Sequence, residues 1–282
     1  MRAGGGVTYV CCTTEGALQV VLITALLALA TAGASPARAG PSSIDALGDS
    51  ITRAFNTGCP FYWTDCALTN SWATGSNSKV NSVYTRLSAF GPVTRYNDAV
   101  SGAKMDDLPG QATKAVSRNV ELVGILMGAN DACGGSSGVM TEVASYRANF
   151  EQAMATLTTG LPNADIKVGS IPDIYQLWEI FYKNKSAVSA WQTFKMCESL
   201  LANPTSTAPA DMERRTKVRH RIQEYNAVLQ SVCAEYVKCE FDNHAGFNTK
   251  FKAEHVSTAD YFHPSVAGQA LIASVAWEVL GY

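Results

Sequence analysis

The run Glu-Leu-Val-Gly-Ile-Leu-Met from Glu121 to Met127 constrains this chain most. It shows no polar–apolar alternation, so as a strand it has to be covered on both faces, as in the centre of a parallel sheet. From Gly40 onward such apolar runs alternate with helical patterns, which argues for an α/β chain with helices on both faces of the sheet. Ser43 to Leu47, stopping at Gly48, supplies a first strand, Val93 to Val100 a second and Ile166 to Ile171 a fourth. With 282 residues, 47% of them hydrophobic, the chain is long enough to bury one large core, and no linker or repeat divides it.

Helices fill the intervals. Val143, Tyr146, Phe150, Met154 and Leu157 fall at helical spacing, with Thr141 as N-cap and Gly160 then Pro162 as the stop. A longer helix is expected from Asp211 to Cys233, with Val218, Ile222, Tyr225, Leu229 and Val232 inward. Its basic run, Arg214, Arg215, Lys217, Arg219 and Arg221, reads as a solvated face. Ser265 is placed to cap a last helix that turns Leu271, Val275 and Val279 to the core. Ile51 to Thr85 and Pro172 to Ala210 read as long connecting segments, and such loops often carry function.

The N-terminal 39 residues have the pattern of an export signal: the apolar run Val20 to Ala34, then Ser35-Pro36-Ala37-Arg38-Ala39 with its Ala-x-Ala site. Cleavage after Ala39 is expected, which leaves residues 40–282 as the mature domain. The apolar run is shorter than the roughly 20 residues that span a bilayer, so no stable membrane anchor is expected. The n-region, with Arg2, Glu15 and a Cys pair, is long for its kind. Cys11 and Cys12 leave with the signal, and Cys59, Cys66, Cys133, Cys197, Cys233 and Cys239 remain for an oxidising destination. Six cysteines allow 15 pairings. Two short spacings suggest Cys59 with Cys66 and Cys233 with Cys239, which leaves Cys133 with Cys197. A balance of 22 Lys plus Arg against 24 Asp plus Glu, without a basic block, gives no footprint for nucleic acid. No Cys-x-x-Cys or His-Glu-x-x-His suggests a metal site.

Chemistry concentrates at strand ends. Gly48-Asp49-Ser50 closes the first strand, where an open α/β sheet forms its ligand crevice. A serine hydroxyl becomes a nucleophile only when an imidazole takes its proton, and the imidazole needs a carboxylate to fix its tautomer. Asp260-Tyr261-Phe262-His263-Pro264 offers both groups, as the turn before Pro264 folds the Asp260 carboxylate toward the His263 ring. Oxyanion donors come from Gly128-Ala129-Asn130-Asp131 and from Asn97 to Gly102, where the missing side chain of Gly102 lets a backbone N–H approach. Taken alone, each block reads more readily as an ordinary turn or a surface histidine.

Together, in this order, the Ser50, Gly102, Asn130 and His263 blocks resemble the GDSL or SGNH hydrolase family, with Asp260 at the family's acid position. The resemblance runs from Gly48 to the helix after Pro264, with Ile51 where the family name has Leu. Ser71-Trp72-Ala73-Thr74-Gly75, Gly-Asp-Ser-Ile-Thr and Gly-Ala-Asn-Asp-Ala-Cys look like its secreted, three-disulfide actinobacterial branch and the phospholipase-B-like relatives. The resemblance implies a three-layer α/β/α sandwich of the flavodoxin-like SGNH hydrolase kind. It also implies a serine esterase or lipase with Ser50 as nucleophile, His263 as base and Asp260 as its orienting acid. Ser50, Gly102 and Asn130 would form the oxyanion hole, and no cofactor is implied. The expected partner is an ester, an acyl lipid first, with phospholipids and acetylated carbohydrates as alternatives, and the expected state is a monomer. Tyr175, Trp178, Phe181, Tyr182, Trp191 and Phe194 either line an acyl-chain groove or pack their segment onto the sheet. A secreted lipid- or glycan-binding protein without turnover is the reading from another class, and it predicts no hydrolysis of any p-nitrophenyl ester.

Overall fold

The computed structural model describes residues 40–58 and 68–282. The proposed signal segment and both Cys59 and Cys66 therefore lie outside the described residues. Among the described residues, five parallel strands form one sheet: β1 (Ser43–Gly48), β2 (Thr94–Asn97), β3 (Leu122–Leu126), β4 (Asp165–Val168) and β5 (Cys239–Phe241), in the spatial order β2-β1-β3-β4-β5. The Glu121 to Met127 run does become the central strand, and every residue of β3 is buried. Its side chains divide between two cores. Leu122 and Leu126 join Ile44, Trp72, Val83, Ala273 and Leu280 on one face, whereas Val123 and Ile125 join Ala112, Phe150, Ile222 and Leu229 on the other. The Leu108–Arg118, Val143–Gly160 and Pro209–Cys233 helices cover the second face, and the Val83–Leu87 and Val266–Leu280 helices cover the first, giving a three-layer α/β/α sandwich. No helix among the described residues is long and apolar enough to cross a membrane.

Several sequence expectations need correction. The second strand ends at Asn97 rather than Val100, because the chain leaves the sheet there and the Val100 N–H turns back to the Gly48 carbonyl (3.0 Å). The fourth covers Asp165–Val168 and stops short of Ile171, whose N–H and carbonyl are taken by the Asn226 amide instead. Thr141 does not cap its helix. Glu142 occupies the N-cap without a side-chain bond, while the Thr141 carbonyl accepts from Tyr225 and Arg221. The Pro172 to Ala210 segment is largely helical, with helices at Tyr175–Phe181, Lys185–Phe194 and Glu198–Leu201.

The basic run is not a solvated face either. Arg215 is fully buried, donating to the carbonyls of Ser206 (2.8 Å) and Asn203 (2.7 Å) and lying over the Trp178 ring at 4.5 Å. Arg219 pairs with buried Asp173 at 2.6 Å, Arg214 donates to the carbonyls of Glu198, Ser199 and Ala202, and of the five only Lys217 is more than half exposed. The helix thus staples the Pro172–Ala210 segment to the sheet through guanidinium–carbonyl bonds. The last helix is capped as expected, Ser265 Oγ accepting from the Gly268 N–H, but it buries Gln269, Ala273, Ala276 and Leu280, leaving Leu271 and Val275 half-buried and Val279 exposed. Its sequence is apolar nearly all round, so periodicity alone does not select a face.

Candidate active site

The chain adds β2 on one side of β1 and then β3 on the other, so the strand order reverses between β1 and β3. At such a switch point the loops leaving two adjacent strands diverge and open a crevice at the carboxyl end of the sheet. Ser50 leaves β1 there and Asn130 leaves β3.

The turn after β1 is fixed by its glycine. Gly48 has φ +150°, and a Cβ on it would stand 2.3 Å from the Leu126 carbonyl oxygen. No other residue fits between β1 and β3 at this point. The buried Gln111 side chain then clamps the same residue, accepting from the Gly48 N–H (2.7 Å) and donating to its carbonyl (2.9 Å). Asp49 is buried beneath, its carboxylate accepting the Ile51 N–H at 2.8 Å. Burial pushes the Asp49 carboxyl up to about 7, against the opposing pull of that N–H and of His263. Ser50 Oγ is thereby presented by a backbone with little freedom.

Opposite it, Asp260 Oδ1 accepts the N–H groups of Phe262 (2.9 Å) and His263 (3.0 Å), closing a side-chain turn around Tyr261 at φ +56°. This turn aims the ring. His263 Nδ1 lies 2.7 Å from Asp260 Oδ2, and His263 Nε2 lies 2.9 Å from Ser50 Oγ. Asn56 donates to Asp260 Oδ2 at 2.7 Å. Burial alone would raise the Asp260 carboxyl, but the His263 hydrogen bonds and charge, together with the Asn56 amide, hold it below the ordinary carboxylate value. Asp260 is therefore an anion, and its four acceptor contacts leave His263 one orientation. The Phe55 ring, 4.9 Å from that of His263, closes one side.

Gly102 has φ +85° with open space where a Cβ would stand, and the Asn130 amide donates to the Ala103 carbonyl at 2.9 Å. An amide nitrogen carries two hydrogens, so one remains for the crevice. Both residues line an open cleft of about 510 Å³ together with Ser50, Phe55, Phe262 and His263, within the size range of small-molecule sites. Cys133, also on its wall, is joined to Cys197, and Cys233 is joined to Cys239. None of the six aromatic residues expected for an acyl groove lines this cleft. Tyr175, Trp178, Phe181 and Trp191 are buried in the core instead, Tyr182 is half-buried and Phe194 is exposed. Gln111 and Asn56 escaped the sequence reading, since a glutamine mid-helix and an asparagine in a loop carry no local mark of their distant partners. The left-handed φ of +54° at Asn56, common for asparagine, is visible only in the fold.

The model of the GDSL-like Lipase/Acylhydrolase family matches residues 46–271. Among curated proteins, membrane-associated phospholipase B1 from Mus musculus is 27% identical over 180 residues, covering 52% of this chain and 12% of that protein. Its Rattus norvegicus counterpart is 25% identical over 192 residues, covering 56% and 13%. This chain thus spans only a small part of the length of the curated relatives it matches. Among solved structures, an extracellular lipase from Streptomyces rimosus superposes with a TM-score of 0.51 at 18% identity, covering 84% of this chain and 99% of that one. A phospholipase A1 from Streptomyces albidoflavus NA297 gives 0.50 at 15% identity, covering 85% and 100%. At such identities the likeness is one of fold.

Proposed function

The chain belongs to the GDSL-like Lipase/Acylhydrolase family, and on that premise we propose that it is a carboxylic ester hydrolase, working as a secreted serine esterase of the lipase type through Ser50, His263 and Asp260. The observation that carries this reading is the unbroken relay from Ser50 Oγ through His263 to buried Asp260, at 2.9 and 2.7 Å, with Ser50 and His263 on one cleft together with Gly102 and Asn130. Ser50 Oγ attacks the ester carbonyl as His263 Nε2 takes its proton, and the N–H groups of Ser50 and Gly102 with the Asn130 amide receive the developing oxyanion. His263 passes the proton to the departing alcohol, leaving an acyl group on Ser50. It then takes a proton from water, whose oxygen attacks the acyl carbonyl, and returns a proton to Ser50 as the acid leaves. The anionic Asp260 stabilises the imidazolium in both halves.

Residues 1–39 are proposed as the export signal and 40–282 as the catalytic domain of the three-disulfide actinobacterial branch. The compact unit that the described residues from Gly40 onward form, and its two disulfides, support this. Phospholipid is the alternative substrate, favoured by the similarity to phospholipase B1. The test is hydrolysis of p-nitrophenyl esters from acetyl to palmitoyl, with labelling by a serine-directed phosphonate. Wild type should turn over, Ser50→Ala should not, and the adduct should map to Ser50. An adduct on another serine would overturn the assignment, and absence of all hydrolysis would leave a binding protein.

A further inference from the structure

Among the described residues, the cleft around Ser50 carries a single ammonium group. Lys195 is the one Lys, Arg, Asp or Glu among the described residues that line it. The residue is exposed, and its side chain has neither an ion pair nor a hydrogen bond among the described residues. Its backbone, by contrast, is tightly held. Lys195 ends the Lys185–Phe194 helix in the left-handed conformation (φ +49°), with its N–H on the Trp191 carbonyl, which also accepts the Met196 N–H at 3.0 Å. Cys197, two residues on, is left-handed as well (φ +43°) and is disulfide-bonded to Cys133, three residues past Asn130. On the other side, the Trp191 indole donates to the Tyr261 carbonyl at 3.0 Å, inside the turn that aims His263. The segment Lys195–Cys197 is therefore braced against both the Asn130 wall and the His263 wall. Each left-handed non-glycine residue costs roughly 1–2 kcal/mol, and such conformations persist only where the surroundings over-determine them.

We propose that Lys195 is a specificity-determining residue that binds the phosphodiester oxygen of a glycerophospholipid whose ester carbonyl lies at Ser50. The inference rests on the Ser50 esterase reading. An exposed lysine on a fixed backbone suits a phosphate, which it meets as a point charge from several directions. In a glycerophospholipid that phosphate lies only a few bonds from the esters, within reach of one open cleft. Among the described residues, no carboxylate lines the cleft to repel it or to neutralise Lys195.

The experiment compares dihexanoyl phosphatidylglycerol with dihexanoylglycerol, both as dissolved monomers so that no charged surface contributes. Wild type should favour the phospholipid, and raising salt should weaken that preference by screening the pair. Lys195→Asn and Lys195→Gly remove the charge while suiting the left-handed backbone. Each should lower kcat/KM on the phospholipid about tenfold, or about 1.4 kcal/mol, with dihexanoylglycerol hydrolysis nearly unchanged. Lys195→Arg should keep most of the preference. Equal losses on both substrates, or no loss on either, would overturn the role of Lys195 while leaving the esterase reading intact. Failure of wild type to hydrolyse either substrate would overturn both.

Discussion

Asp260→Asn is the substitution that most directly separates an orienting carboxylate from a bystander. In the native site Asp260 Oδ1 accepts two backbone N–H groups, while Oδ2 accepts His263 Nδ1 and the Asn56 amide. All four partners are donors. An asparagine has one oxygen and one NH₂, so either placement sets its NH₂ against donors. With the NH₂ at the Oδ1 position, the Phe262 and His263 N–H groups lose their acceptor and the turn opens. With it at the Oδ2 position, the turn survives, but His263 can be met only as a neutral ring carrying its proton on Nε2, the nitrogen that has to accept from Ser50. The second outcome retains the fold and removes the base. Precedent for a triad carboxylate forced into the wrong tautomer is a loss of about 10⁴ in kcat, equivalent to roughly 5 kcal/mol in the barrier. The assay is steady-state hydrolysis of a short p-nitrophenyl ester alongside thermal unfolding. We expect kcat to fall by three to four orders of magnitude, about that precedent, with a folded protein and KM little changed. A variant within about tenfold of wild type would refute Asp260 as the orienting group.

Asn130→Ala removes one of three proposed oxyanion donors, and kcat should fall about 10²- to 10³-fold while KM stays close to wild type. A lower melting temperature with nearly intact kcat would mean that the Asn130 bond to the Ala103 carbonyl is its whole role. For Asp49, burial raises the carboxyl from 3.8 to about 7, so between those values the folded chain holds a proton that the unfolded chain has released. Its contribution is full below about pH 4 and is lost as pH rises through 7, by an amount on the order of 4 kcal/mol at most. Asp49→Asn should therefore gain stability relative to wild type between pH 5 and pH 8, as read by melting temperature, and a pH-independent difference would refute the assignment.

The parts of the fold visible in the sequence are those set by composition over a whole element. A strand buried on both faces admits little but apolar residues, so β3 and β1 stood out. Likewise the inward residues of the Pro209–Cys233 helix, Val218 to Val232, repeat along one stripe and all are buried. β5 escaped notice because Cys239–Phe241 is three residues at a sheet edge, none fully buried, and needs no apolar run. The basic run misled for a different reason. A guanidinium is tolerated in the core when its fixed fork of donors meets carbonyls, and those carbonyls, Asn203 and Ser206, lie in an irregular stretch whose path no local pattern encodes.

The same division runs through the site. Residues that do chemistry are confined by their reactivity to a few types, and Ser50, His263 and Asp260 fall in recognisable blocks because each needs a particular turn around it: a glycine before the serine, and a carboxylate three residues before the imidazole. Residues that hold these groups in place work through hydrogen bonds that any suitably positioned amide could make. Gln111 grips Gly48 from 63 positions away, and Asn56 reaches Asp260 across 204. Their identity is dictated by geometry that exists only after the sheet has brought β1, β2 and β3 side by side. Lys195 belongs with them only in part: the Cys133–Cys197 disulfide that holds its segment follows from the cysteine spacings, but the indole bond from Trp191 to the Tyr261 carbonyl, across 70 positions, leaves no trace in the residues around it.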